Sequence, residues 1–220
     1  MFKGIYNEAE FYTNFYFDTK LAGDLESKIA TFEGIKDQID KLKGLDSLYW
    51  LYRDAKPSNE SLLEFYQKIL TVLGYQFDLK IINTLKEMSF NSVAQVYSEE
   101  RTNLYVFLTN EIEEGMFESS PFSHNITENL ENRELSEIIS EFFDELESPP
   151  KWILVGAPTT MFLLERNRWV FGKYIKFNWD EIFQQKTEAL FSSILGLISR
   201  ESLCPLSGQS IHTEIEDNSH

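Results

Sequence analysis

Residues 149–183 read PPKWILVGAPTTMFLLERNRWVFGKYIKFNWDEIF, and the fold turns on this stretch. The two prolines at 149 and 150 stop whatever helix precedes them. Three β-rich runs follow, Trp152 to Gly156, Thr160 to Leu164 and Trp169 to Phe177. Ala157-Pro158-Thr159 and Arg166-Asn167-Arg168 lie between them with turn chemistry, so the spacing predicts three successive strands. Asn178 or Asp180 then opens a last helix, rich in Leu, Ile and Phe, that reaches about Ile198.

Working outward from these strands, a run from about Glu131 to Leu146 places Leu135, Ile138, Ile139, Phe142 and Phe143 on one helical face. Upstream, residues 92–110 hold two β-rich runs joined by the polar Ser98-Glu99-Glu100-Arg101-Thr102-Asn103, a hairpin pattern. Its second run, Leu104 to Leu108, is apolar on both faces and is expected in the centre of a sheet. Ser58 caps a helix from Asn59 to Leu73 that Gly74 ends. Apolar residues at three- and four-residue steps predict a helix from Asp24 to Lys43, weakened in its middle by Gly34, and a short helix from Leu48 to Tyr52 follows. The aromatic start at 7–17 reads as a capped amphipathic segment that packs Phe11, Phe15 and Tyr16 inward, or else as a docking surface for another chain or domain. The expected class is therefore α+β: a helical N-terminal segment (1–55), a small mixed sheet flanked by helices (56–200), and a polar tail (201–220).

Composition narrows the function classes. The 220 residues are 42% hydrophobic and 25% charged, which supports a packed core and excludes a disordered or collagen-like chain. With no apolar run of membrane-spanning length and no basic-apolar leader, the expected setting is cytoplasmic, with no membrane partner. A single cysteine, Cys204, and three scattered histidines, His124, His212 and His220, offer no disulfide and no metal-ligand spacing. Twenty bases against 36 acids give a net charge of −16. From Glu111 to Glu147 there are twelve acids and one base, Arg133, which leaves the remainder near balance.

Phosphate-binding, nucleophile-elbow and zinc signatures are absent from the sequence. One positive cluster stands out, Arg166, Arg168, Lys173 and Lys176, interleaved with Trp169, Phe171, Tyr174 and Phe177 and extendable through Lys151 and Lys186. Cations beside aromatic rings suit phosphates and bases, which makes these four the candidate nucleic-acid-binding residues. The same alternation also serves a hairpin that buries one face and wets the other.

Taken together, NEAEFYTNFYF and LAGDLESKI near the start, Leu73-Gly74-Tyr75, LYVFLTN at 104–110, the run 149–183 and ALFSSILGLISRESLCPLSG at 189–208 resemble the N-terminal region of known enzymes. These are the type IIG-like adenine-specific DNA methyltransferases of restriction-modification and phage-defence systems such as DISARM. The resemblance implies a PD-(D/E)xK endonuclease-like fold, followed in the parent enzyme by connector helices and a methyltransferase domain that uses S-adenosylmethionine. No cofactor is implied for this chain itself. The implied partners are DNA through the parent enzyme, its own methyltransferase domain, or other restriction and defence subunits.

Nuclease chemistry in that fold needs an acid near the hairpin start and an acid-x-Lys on its second strand, to hold a divalent ion and assist the attacking water. Phe107, Leu108 and Thr109 stand there instead, so the resemblance implies a catalytically silent copy with no catalytic or metal-binding residue, a domain that positions the enzyme on DNA or docks it to a partner. The alternatives are a nuclease with displaced acids, for example Glu10, Asp78 and Glu99, and an acidic DNA-mimic or interaction module. The last residues, IHTEIEDNSH, are expected to break off from a longer gene product and to be poorly ordered unless packed down.

Overall fold

The computed structural model describes residues 3–55, 59–76, 80–83, 89–92, 94–98, 101–109, 117 and 134–216. Along the chain run β1 (Ile5–Glu8), α1 (Asn14–Thr19), α2 (Leu21–Ile29), α3 (Ile35–Gly44), α4 (Asp46–Asp54), α5 (Asn59–Val72), β2 (Lys80–Asn83), β3 (Ser89–Ser92), β4 (Ala94–Ser98) and β5 (Arg101–Leu108). Then come α6 (Leu135–Asp144), β6 (Trp152–Gly156), β7 (Thr160–Glu165), α7 (Arg166–Trp169), β8 (Tyr174–Asn178), α8 (Trp179–Gln185), α9 (Glu188–Ile198), α10 (Arg200–Leu203) and α11 (Ile211–Glu216).

Six strands form one mixed sheet in the order β1-β8-β7-β6-β5-β4, and β2 pairs with β3 separately. The hairpin β4–β5 and the meander β6–β7–β8 are antiparallel, and β1 closes the edge antiparallel to β8. Among the described strands only β5 and β6 run parallel, with Leu104 opposite Trp152 and Leu108 opposite Gly156. Parallel neighbours need a crossover, and α6 lies on that connection.

The sheet has helices on both faces, which is why β6 and β7 are buried along their whole length. On one face Val106, Leu154, Leu163, Ile175 and Phe177 meet the helices of the N-terminal third and of the C-terminal end. On the other, Phe107, Ile153, Val155, Phe162 and Leu164 meet Ile138, Ile139, Phe142 and Phe143 of α6. The first core draws on residues from Ile5 to Ile215, so all three expected divisions of the chain share it. The architecture is α+β.

Several boundaries differ from the expectations, each for a local reason. The helix expected over 24–43 is two helices, because Gly34 adopts a left-handed conformation (φ 71°) and restarts the chain as α3. The last helix is likewise interrupted where Lys186 takes φ 52°, separating α8 from α9. At the start, residues 5–8 join the sheet before Thr13 caps α1; Phe11 and Tyr16 are buried but Phe15 is 69% exposed. The third strand does not begin at Trp169, since Arg166–Trp169 is a helical turn. The Ser58 cap, the hairpin turn at Glu99 and Glu100, and most of the acidic stretch lie outside the described residues.

Polar contacts fix the helices to the sheet. Tyr49 donates to Asp180 Oδ1 (2.5 Å), and Arg53 grips both Asp180 oxygens at 2.9 and 3.1 Å, tying α4 to α8. Burial and the Asp180 hydrogen bond hold the Tyr49 hydroxyl well above its usual titration range, so it stays a donor. Residues 211–215 are packed down: the ring of His212 is buried, Thr213 accepts from Lys151 (2.8 Å), and Glu214 pairs with Lys28, while 217–220 lie outside the described residues.

Candidate nucleic-acid interface

The segment expected to bear cations on strands begins where β7 ends. After Glu165 the chain makes the single turn α7 and folds back through Val170, Phe171 and Gly172. Three backbone hydrogen bonds hold this reversal: Phe171 N–H to Arg168 O (3.0 Å), Gly172 N–H to Trp169 O (2.8 Å) and Lys173 N–H to Arg168 O (3.2 Å). Gly172 takes φ 66°, a value that favours glycine, and the chain enters β8.

Of the four predicted cations, Arg168 turns inward. Its guanidinium lies 4.3 Å over the Phe11 ring and 5.2 Å over Tyr12, and it donates to the Phe11 carbonyl. Its Nε is 3.9 Å from a carboxylate oxygen of buried Glu165, and its side chain is only 19% exposed. Arg168 thus joins the N-terminal segment to the end of β7. Replacement by Gln should cost about 1–3 kcal/mol of stability, because the stacked stem and a charged hydrogen bond are lost. Thermal unfolding checks this, with a clear fall in Tm expected.

Lys176 stands on β8 opposite Tyr6 and Phe162, with its amine 4.9 Å from the Tyr6 ring centre. The extensions Lys151 and Lys186 are engaged elsewhere, with Thr213 and with Asp46 (2.5 Å) respectively. Arg166 and Lys173 are half-buried and flank the reversal; among the described residues neither has an ion-pair partner. The aromatics divide in the same way. Trp169 donates to Ser140 (3.0 Å) and packs on Phe117, Tyr174 packs on Phe162, and Phe177 is buried on the opposite face. Only Phe171 (71% exposed) and its neighbour Val170 (67%) project. The reversal therefore carries Arg166, Phe171 and Lys173 on one short stretch of chain, while Arg168 is turned inward.

The positions that would carry nuclease chemistry are filled by packing groups. Phe107 is buried 5.0 Å from the Phe142 ring, and Thr109, also buried, donates its N–H to the Gly156 carbonyl (2.9 Å). Glu10 sits exposed at φ 61° and accepts from Asn14 (2.7 Å). Asp78 and Glu99 lie outside the described residues. Among the described residues no group of three His, Cys, Asp or Glu side chains is placed to hold a metal, and no helix is long and apolar enough to cross a membrane.

One buried polar site escaped the sequence reading. His212 Nε2 donates to the Leu197 carbonyl (2.8 Å), so Nδ1 accepts from the Tyr12 hydroxyl (2.5 Å). The ring stacks on Tyr12 and lies 4.8 Å from Trp152. Burial pushes its pKa down to about 3, helped by the positive charges of Arg168 and Lys151. It is a neutral strut. No periodicity marks it in the sequence, because its partners are 15 and 200 residues away. No protein-family model, curated protein or solved structure matches the chain.

Proposed function

We propose that this chain is a non-catalytic domain that positions a restriction-modification methyltransferase, of the kind its sequence resembles, on DNA in the cytoplasm. The observation that carries this reading is β5. Where an endonuclease-like strand would present an acid and a lysine, Phe107 and Thr109 are buried under α6 and against β6. A strand packed in this way supplies rigidity and offers no ligand to a divalent ion. The endonuclease-like fold is part of the same proposal.

Charge supports DNA over a general acidic role. Although the chain carries −16, residues 151–178 hold five cations against the single acid Glu165, and two of the five, Arg166 and Lys173, have no ion-pair partner among the described residues. A local positive segment of this kind favours phosphate contact even on an acidic protein.

The non-catalytic half of the reading is tested with supercoiled plasmid and the intact chain in Mg2+ or Mn2+. No nicking above background is expected with either ion. Metal-dependent nicking that follows the protein through purification and stops with EDTA overturns it.

A further inference from the structure

We propose that the Val170-Phe171-Gly172 reversal is a nucleic-acid-reading tip, in which Phe171 stacks on an unpaired DNA base while Arg166 and Lys173 hold the flanking phosphates. This rests on the DNA-positioning reading above and narrows it to single-stranded or locally unpaired DNA.

The reversal combines exposure with rigidity. A phenylalanine that is 71% exposed on a floppy loop would have little meaning, since scattered apolar residues on a surface are ordinary. Here the loop is pinned at both ends. Three backbone hydrogen bonds close it, Gly172 sets its turn, and the helical turn beneath is anchored by Arg168 on Phe11 and by Trp169 on Ser140. A loop backbone held in this way needs little further ordering on binding, one of the costs that a docking loop has to meet.

Arg166 and Lys173 stand on either side of Phe171 in the chain, at the two ends of the reversal, and neither has an ion-pair partner among the described residues, whereas Arg168, Lys151 and Lys186 are all engaged internally. A flat apolar face between two available cations is complementary to a base between two phosphates. Paired DNA buries its base faces, so the partner that fits is a strand whose base is already out of the stack.

The test uses the intact chain and a single-stranded oligonucleotide carrying one 2-aminopurine. Binding should change the probe's fluorescence. Phe171→Ala should lose about ten-fold in affinity together with that change, whereas Phe171→Trp should keep both. Because Phe171 is exposed, all three proteins should melt alike. Arg166→Gln with Lys173→Gln should retain the fluorescence change at saturation but flatten the plot of log affinity against log salt by about 1.4.

If native chain binds in a salt-dependent way and Phe171→Ala binds equally well, the tip is overturned while DNA positioning stands. If native chain ignores the oligonucleotide at the lowest salt, or prefers an acidic peptide such as polyglutamate, the tip and the DNA-positioning reading fall together.

Discussion

Gly156→Ala is expected to destabilise the chain by about 3 kcal/mol, an effect at the upper end of overpacking in a filled core. Gly156 ends β6 between Leu108 and Met161, and a Cβ there would stand 2.6 Å from Tyr66 Cζ and 2.7 Å from Leu108 Cδ2. Tyr66 has no room to retreat. Its hydroxyl lies 2.7 Å from the carbonyls of both Ala157 and Thr160 and accepts the Trp179 indole N–H at 3.1 Å. Pushing the ring away strips partners from buried groups at the β6–β7 turn, each costing about 1–3 kcal/mol if left unpaired. For a chain of this size the shift in Tm should be roughly 10 °C. A Gly156→Ala protein that melts with the native one would mean that the close approach of α5 to β6 is wrong.

Acid should weaken the fold through His212. Its folded pKa of about 3 lies below the 6.5 of an ordinary histidine, so the unfolded chain takes up a proton that the folded chain refuses. The contribution is whole above pH 6.5 and is lost progressively as pH falls from 6.5 towards 3, at about 1.4 kcal/mol per pH unit. Protonation of Nδ1 would also break the acceptance from Tyr12 and place a cation near Arg168 and Lys151. Between pH 7 and pH 5 denaturant unfolding should show a loss of about 2 kcal/mol assignable to this ring. In His212→Asn, less stable at neutral pH, that part of the slope should vanish. An unchanged slope in the variant would place the proton uptake elsewhere.

How much of this was legible beforehand depends on whether a feature is local. The strands at 152–156 and 160–164, the hairpin 94–108 and the apolar faces of α5 and α6 follow from periodicity and turn residues. These elements sit where the pattern placed them, except that the hairpin strands run further into the polar connection, with Ser98 in β4 and Arg101 to Asn103 in β5. Alternation misled at 169–177. Trp169 looks like the first position of a strand, yet it closes the helical turn Arg166–Trp169, in which Arg168 finds a partner on Phe11 and Trp169 one on Ser140. Composition could not reveal those partners, which lie 157 and 29 residues away. For the same reason β1 was missed: Ile5–Glu8 is a strand only because β8 offers it an edge. The candidate patch therefore shrank from four cations to the two that flank Phe171, and the polar C-terminal residues proved to carry a buried histidine.

The central claim is that this chain contacts DNA through its one positive segment. It is tested most directly by measuring the affinity of the intact protein for a short labelled DNA strand across a salt series, beside the protein carrying Arg166→Gln and Lys173→Gln. The account predicts binding at low salt that falls linearly in log-log form, with a shallower slope and weaker binding in the double variant. Equal binding by the two proteins, or none by either at the lowest salt, would contradict it.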